Sequence, residues 1–267
     1  MKLSIIILNY NTKELTRNCI NSILDHSDNY EIIIVDNNSG DDSVNYLENI
    51  FKDSISIIRN NKNLGFAAAN NIGSKQASGD ILLFLNSDTI VKENIFASIV
   101  KTFDDNERIG IVSPKIILSD GSLQDNSFGQ YPTILNTILS KLLSRKNVNN
   151  KIKDNNKIKA IKNVNWVSGC CLFIRKNLFE QVNGFDANFF LYFEDVDLCK
   201  RVFNLDYMIC IDNNSEIMHL GGKSIKKNST RKKHYYKSQD YYFKKHLGVS
   251  RATLMKILRT PIKIIKS

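Results

Sequence analysis

Five apolar residues in succession, Ile81 to Leu85, run without transition into Asn86-Ser87-Asp88. The run is too short to cross a membrane, but it suits a strand covered on both faces. Open α/β sheets bind ligands where their strands end, because the carboxyl ends open into a crevice. Asp88 therefore marks a candidate polar site. One carboxylate, with the Asn86 amide two residues earlier, suits a magnesium or manganese ion bridging a diphosphate, since both ions take oxygen ligands. The competing reading is an Asx turn that merely closes the strand.

The flanking chain repeats the pattern. LSIIILNY reads as a first strand, and Asn11-Thr12-Lys13-Glu14 has the spacing of a capping box, so a helix is expected to start there. Leu15, Cys19, Ile20, Ile23 and Leu24 carry its apolar stripe. EIIIVD, Glu31 to Asp36, is a second strand ending on a carboxylate, followed by a short helix through Val44, Leu47 and Phe51 and a third strand over Ser54 to Arg59. Leu64 to Asn70 opens a helix that runs to about Ala77. Strands alternating with single helices make βαβ units and a parallel sheet. Three strand exits, Asn9-Tyr10-Asn11, Asp36-Asn37-Asn38 and Asn86-Ser87-Asp88, then share one edge and form a candidate nucleotide site. Asp36 could accept from a pyrimidine ring N–H and Tyr10 could stack on the base; as local structure they are a turn former and a half-buried filler.

The 267 residues suffice for a large core without staples. The five cysteines are odd in number and lack C-x-x-C spacing, which places the chain in a reduced compartment and reads as cytoplasmic. Leu3 to Leu8 is too short for a signal-peptide core or an anchor. The net charge of +10 is uneven: residues 223–267 carry fourteen Lys or Arg against Asp240 alone. Such a tail favours an anionic partner.

Farther along, Ile95 to Phe103 reads as a helix and Ile109 to Leu118 as a strand with a turn at Ser119 to Ser122. An apolar helical stripe is expected over Leu135, Ile138, Leu139, Leu142 and Leu143, and a mobile polar loop over Arg145 to Lys162. Trp166, beside Ser168-Gly169, either stacks on a sugar ring or supplies core mass. Glu194 and Asp195 sit at a helix start. Adjacent carboxylates raise one another's pKa, and one of them can then act as a general base near neutral pH. Acids are also favoured there by the helix dipole, and that reading is taken for Asp197, which is spaced to pair with Arg201. His219 closes the apolar stretch from Ile217 and becomes a metal-ligand candidate once a cation is proposed nearby. Lys223 and Lys226 could face a diphosphate.

The motifs IIILNYN, VDNNS, NLGFAAANN, FLNSD, WVSG, GFD, FEDVDLC and HLGGKS occur in this order from about Leu3 to Ser224. Together they resemble the family 2 glycosyltransferases, in particular their rhamnosyltransferase-like branch. The resemblance implies an α/β GT-A fold, Rossmann-like, with a mostly parallel central sheet, helices on both faces and here a C-terminal helical extension. It implies an inverting transfer from a dTDP- or UDP-sugar donor to a glycan or lipid-linked acceptor, with a divalent metal. On this likeness Asp195, paired with Glu194, is the catalytic base and Asp36 binds the base of the nucleotide. Asn9, Tyr10, Asn11, Asn38, Gly65, Asn70, Asn86 and Ser87 line the donor site. Asp88 and His219 hold the metal, Trp166 and Gly169 meet the acceptor, and Lys223 faces the diphosphate. Asn86 departs from the family pattern, which has an aspartate there. The expected division is a transferase domain over 1–224, with a nucleotide-binding half to 110 and an acceptor half beyond it, then an extension over 225–267.

A nucleotidyltransferase would be expected to carry a glycine-rich loop after the first strand, and Asn9-Tyr10-Asn11-Thr12 has no glycine. Nucleic-acid binding through the tail leaves the acidic strand exits unexplained, so no nucleic acid is expected. The tail alternates basic and aromatic residues from Lys232 to Lys245, and its apolar stripe over Leu254, Ile257 and Leu258 stands among Lys256 and Arg259. It is expected to attach to an anionic membrane surface, peripherally on the inner face; packing on the domain through its tyrosines is the alternative.

Overall fold

A computed structural model describes residues 1–26, 29–137, 160–221 and 228–264. Four parallel strands form one half of the sheet: β1 (Leu3–Asn9), β2 (Tyr30–Asp36), β3 (Ser56–Arg59) and β4 (Ile81–Asn86), in the order β3-β2-β1-β4. Beyond β4 the sheet becomes mixed. Its remaining strands are β5 (Thr89–Ile90), β6 (Ile109–Ile117), β8 (Ile161–Val164), β10 (Cys171–Arg175) and β11 (Met208–His219). β10 runs antiparallel between β4 and β6, β11 runs parallel to β6, and β5 and β8 pair antiparallel with β11. A separate two-stranded ribbon joins β7 (Phe128–Gly129) to β9 (Trp166–Val167).

The uninterrupted apolar runs follow from burial on both faces. Side chains alternate across a strand, so Ile5, Ile7, Leu83 and Leu85 join one core while Ile6, Leu82 and Phe84 join the other. Helices α1 (Lys13–Leu24), α2 (Ser43–Phe51) and α4 (Phe96–Asp105) cover the first face through Ile20, Leu47 and Ile99. Helices α3 (Phe66–Gln76), α5 (Lys176–Gln181) and α6 (Glu194–Phe203) cover the second through Ala67, Phe179 and Leu198. Each fully buried aliphatic side chain contributes about 1.5–3 kcal/mol. α3 comes close enough to the sheet that a Cβ at Gly73 would stand 2.6 Å from Ile6 Cγ2, which accounts for the small residues in its sequence.

Several expectations are corrected. Asn11 does not cap α1: the helix begins at Lys13, Asn11 takes a left-handed backbone (φ 55°) and its Oδ1 accepts the Gly40 N–H at 2.8 Å. The polar groups at the strand exits bond to one another, and the first helical N–H, that of Lys13, goes to Asp41 Oδ2 at 3.2 Å. The third strand starts at Ser56 because Lys52–Ser54 tighten into a 3-10 turn. The stretch ending at His219 is the last part of a twelve-residue strand, whose register shift between Asp212 and Glu216 breaks its periodicity. Ile161 and Lys162, read as the end of a loop, form part of β8; positions 145–159 lie outside the described residues. So do positions 138–143 of the expected stripe, and Leu135 is 65% exposed.

Two C-terminal helices, α7 (Asn228–Leu247) and α8 (Val249–Ile264), complete the fold. Tyr242 and Phe243 of α7, with Ala252 and Met255 of α8, build a third core on Phe189, Phe193 and Val196. The aromatic residues at 241–243 of the tail therefore face the domain.

Candidate active site

The parallel register sets Asn9 beside Asp36 and Leu8 beside Asn86, so all three strand exits lie at one edge. Asn9 is buried there, and its amide donates to Asp36 Oδ1 (2.7 Å) and Ser39 Oγ (3.0 Å) while its Oδ1 accepts from Thr12 and Thr16. Asp36 Oδ2 accepts the Ser39 N–H, and Thr12 Oγ1 lies 3.1 Å from Ser87 Oγ. Asn37 extends the network: its Oδ1 accepts the Leu64 N–H and its amide reaches the Gly65 carbonyl. Asn9, Asn11, Asp36, Gly65 and Ser87 thus share one polar cradle. Tyr10 and Asn38 are exposed at its rim, whereas the buried Asn70 donates to Phe66 O within its own helix. Asn86 is tied through its backbone, taking the Thr89 hydroxyl on its carbonyl and donating its N–H to Cys170 O.

Asp88 and His219 meet because β5 pairs with the end of β11, with Thr89 opposite His219. His219 Nε2 lies 2.9 Å from Asp88 Oδ1, and His219 Nδ1 lies 2.5 Å from Gln124 Oε1. Asp88 Oδ2 is buried and has no hydrogen-bond partner. An orphaned carboxylate oxygen is costly unless something else satisfies it. Two ligands at 2.0–2.1 Å from one octahedral cation stand roughly 3 Å apart, so the pair fits a shared divalent ion. In the tautomer that donates Nδ1–H to Gln124 Oε1, His219 would offer a bound cation the Nε2 lone pair that coordination needs. Among the described residues, no group of three or more His, Cys, Asp or Glu side chains is arranged for a metal, so the remaining ligands would come from diphosphate and water. Lys223 and Lys226 lie outside the described residues.

Asp195 opens α6 with both oxygens held: Oδ2 accepts the Gly169 N–H (2.9 Å) and Oδ1 the Val196 N–H (2.8 Å). Burial raises its pKa, and these two N–H bonds only partly offset that. Glu194 is buried with Oε2 unpartnered, and burial together with the neighbouring Asp195 charge pushes its pKa well above the carboxylate range. The approach to this pair is strained. Tyr192 (φ 71°) and Phe193 (φ 68°) are successive left-handed residues without glycine's freedom, a conformation that costs of order 1–3 kcal/mol each. α7 holds them: Phe193 lies 5.3 Å from Tyr235 and 5.5 Å from Tyr242, and His234 stacks on Phe190 at 4.7 Å. On the other side the Phe190 carbonyl accepts the Phe66 N–H, and a Cβ at Gly65 (φ 80°) would stand 2.4 Å from that oxygen.

Adjacent residues link the two carboxylate centres: Gly169 N–H donates to Asp195, and the Cys170 carbonyl accepts the N–H of Asn86, two positions before Asp88. The buried Cys170 thiol is pushed far up by burial, then by Cys171, Asp88, Cys19 and Asp195 in turn. Trp166 is half-buried, donates Nε1–H to Gln130 O and packs against Gly129. Sequence reading misses Gln124, Thr12 and Ser39, whose roles exist only across strands; the VDNNS motif carries the one available signal, for Ser39.

A family model described as glycosyl transferase family 2 matches residues 4–182. Low-salt glycan biosynthesis hexosyltransferase Agl10 of Haloferax volcanii is 29% identical over 205 residues, 74% of this chain and 61% of its own length. N-acetylglucosaminyl-diphospho-decaprenol L-rhamnosyltransferase of Mycobacterium tuberculosis is 28% identical over 158 residues, 57% of this chain and 51% of its own length. The matches thus span between half and three-fifths of these relatives. The structure of GalNAc-T7 with UDP, GalNAc and Mn2+ superposes with a TM-score of 0.64 at 15% identity, covering 82% of this chain and 44% of that one. That likeness concerns the GT-A fold.

Proposed function

This chain belongs to glycosyltransferase family 2, and on that premise we propose that it transfers a hexosyl group, rhamnose by preference, from a dTDP- or UDP-sugar to an acceptor hydroxyl with inversion. The proposed acceptor is a glycan or a lipid-linked saccharide in cell-surface polysaccharide synthesis, met on the cytoplasmic face of a membrane. Two relatives support the choice by name, one a hexosyltransferase of glycan biosynthesis and one a rhamnosyltransferase for a diphospho-decaprenol-linked sugar. The observation that carries the proposal is that adjacent residues tie the two carboxylates to one strand edge: Gly169 N–H donates to Asp195, and the Cys170 carbonyl accepts the N–H of Asn86, two positions before Asp88 with its bare Oδ2.

In this reading the cradle of Asn9, Asn11, Asp36 and Ser87, with Tyr10 at its rim, receives the nucleoside, and Asp36 keeps lone pairs free for a ring N–H. Asp88 and His219 would hold a divalent ion, which when bound neutralises charge on the departing diphosphate. Asp195 takes the proton of the acceptor hydroxyl as that oxygen bonds to the anomeric carbon. The bond from that carbon to the diphosphate breaks in the same displacement, so the configuration inverts without a covalent enzyme intermediate. The raised pKa brings Asp195 closer to working pH, where a base is most effective. The raised pKa of Glu194 beside it favours the protonated form, which would leave a single negative charge on the pair. Trp166 and Gly169 border the acceptor side.

The test is a thermal-shift screen of dTDP, UDP and GDP with and without manganese, followed by NMR of the product's anomeric configuration with the stabilising donor. Stabilisation by dTDP or UDP that grows with manganese, and an inverted product, are expected. A retained configuration would overturn the mechanism, and no response to any nucleotide would overturn the donor class.

A further inference from the structure

Helix α8 has two apolar sides. Ala252 and Met255 face α7, and Arg259 joins them, buried, with its guanidinium on Gln239 and Asp240 and 4.6 Å over the Tyr236 ring. The opposite side carries Val249 (64% exposed), Leu254 (46%), Ile257 (62%) and Leu258 (39%). At 3.6 residues per turn, the outward arc between Lys256 and Arg251 also holds Ser250 and Thr253, and none of its described side chains is charged. A side turned to water ordinarily carries the helix's charges. Here Lys256 and Arg251 stand at the two borders of an aliphatic ridge.

Charge selects the occupant of that ridge. Residues 228–264 contain ten Lys or Arg and one acid, Asp240, which is engaged by Arg259 at 2.9 Å and more loosely, at 3.8 Å, by Lys256, whose side chain stays 59% exposed. A second copy on this side would set like charge against like charge. An anionic lipid surface complements it, because an uncharged apolar ridge bordered by cations seats in the headgroup region with cations on phosphates. Among the described residues no helix is long and apolar enough to cross a membrane, so the contact would be superficial. We infer that the Val249–Leu254–Ile257–Leu258 face of α8 rests in the surface of an anionic bilayer, with Arg251 and Lys256 on lipid phosphates. Of the α7 aromatics that the sequence pattern offers for this role, Tyr241, Tyr242 and Phe243 are turned into the domain, and Tyr235, though 37% exposed, packs against Phe193. The inference takes its biological sense from the lipid-linked acceptor proposed above, but its test uses neither donor nor acceptor.

The experiment is co-sedimentation of the full chain with vesicles of phosphatidylcholine alone, or of equal parts phosphatidylcholine and phosphatidylglycerol, at low and high salt. The wild type should bind only the anionic vesicles, and less at high salt. Leu254→Ser with Ile257→Ser should weaken binding at least tenfold without moving the melting point. Arg251→Gln with Lys256→Gln should weaken it roughly thirtyfold, as expected for the loss of two cations at the surface. Failure of the wild type to bind anionic vesicles at low salt overturns the inference. So does binding that survives both double variants, which assigns it to diffuse charge, or a wild-type dimer in sedimentation equilibrium that the serine variant dissociates, which makes the face an interface between copies. Vesicle binding without any nucleotide response would separate this inference from the proposed reaction.

Discussion

Asp88 Oδ1 stands 2.9 Å from His219 Nε2, although the two residues are 131 positions apart, and the second oxygen of that carboxylate is buried without a partner. The pair exists because a two-residue strand, β5, returns onto the end of β11. Its asymmetry gives the first prediction. A ligand at a hundredfold excess over its dissociation constant stabilises the native state by about 2.7 kcal/mol. Manganese with a nucleoside diphosphate should therefore raise the melting point of the wild type by several degrees. Asp88→Ala should abolish the manganese-dependent part and His219→Ala should reduce it, as read by differential scanning fluorimetry. An unchanged manganese response in Asp88→Ala would remove the cation from this site.

The second prediction concerns Asp195. Asparagine keeps its size and can still accept from the Gly169 N–H, but it cannot take a proton. Asp195→Asn should lower kcat by about 10²–10⁴-fold, the range of general-base contributions. The donor's KM should change by no more than about twofold, since the uniform binding that sets KM is left in place. Steady-state kinetics over donor concentration separates the two, and wild-type turnover in the variant would assign the base elsewhere.

Glu194 gives a stability test that needs no substrate. Its carboxyl is pushed well above the ordinary value of 4.5 by burial and by Asp195. Between 4.5 and that higher folded value the native state holds a proton that the unfolded chain releases. This contribution is complete below 4.5 and is lost as pH rises toward the folded pKa, at a slope of up to about 1.4 kcal/mol per pH unit. Glu194→Gln should flatten that part of the profile and gain on the wild type as pH rises. Urea midpoints across the pH range read the difference, and parallel profiles would show that Glu194 is ionised in the folded protein.

Asp197 behaves in the opposite sense. Burial opposes its charge, but His246, Arg201 and Lys245 outweigh that and hold it below the usual range. Its stabilisation is therefore present above the ordinary value of 3.8 and is lost as pH falls through the lower folded pKa. Arg201 lies 2.8 Å and Lys245 2.7 Å from its oxygens. Asp197→Ala should destabilise by about 3 kcal/mol, because Arg201, with its side chain only 19% exposed, loses its carboxylate partner. Since Lys245 also holds Asp186, whose pKa is brought down to about 2 against the effect of burial, the same substitution should loosen α7. Faster amide hydrogen exchange over 235–247 would record it, and unchanged exchange there would separate the ion pair from helix docking.

The sequence by itself determined the α/β alternation, the apolar strands and the polar residues at their ends, because strand period, helix period and turn chemistry are local properties. Ile81 to Leu85 is covered on both faces as its unbroken apolarity requires, and the Asp197–Arg201 pair follows from helical spacing alone. Tertiary structure decided everything that joins distant segments. Gln124 meets His219 only because a turn folds back on β6; no spacing rule connects positions 95 residues apart. Asn11 was lost to Gly40 as a helix cap because strand exits brought side by side satisfy one another first. The tail's alternation of tyrosine and lysine fits a lipid surface and a protein core equally well. Only the docking of α7 on Phe189 and Phe193 turned Tyr242 and Phe243 inward and left α8 to face outward, because burial is a property of neighbours that a sequence pattern does not name.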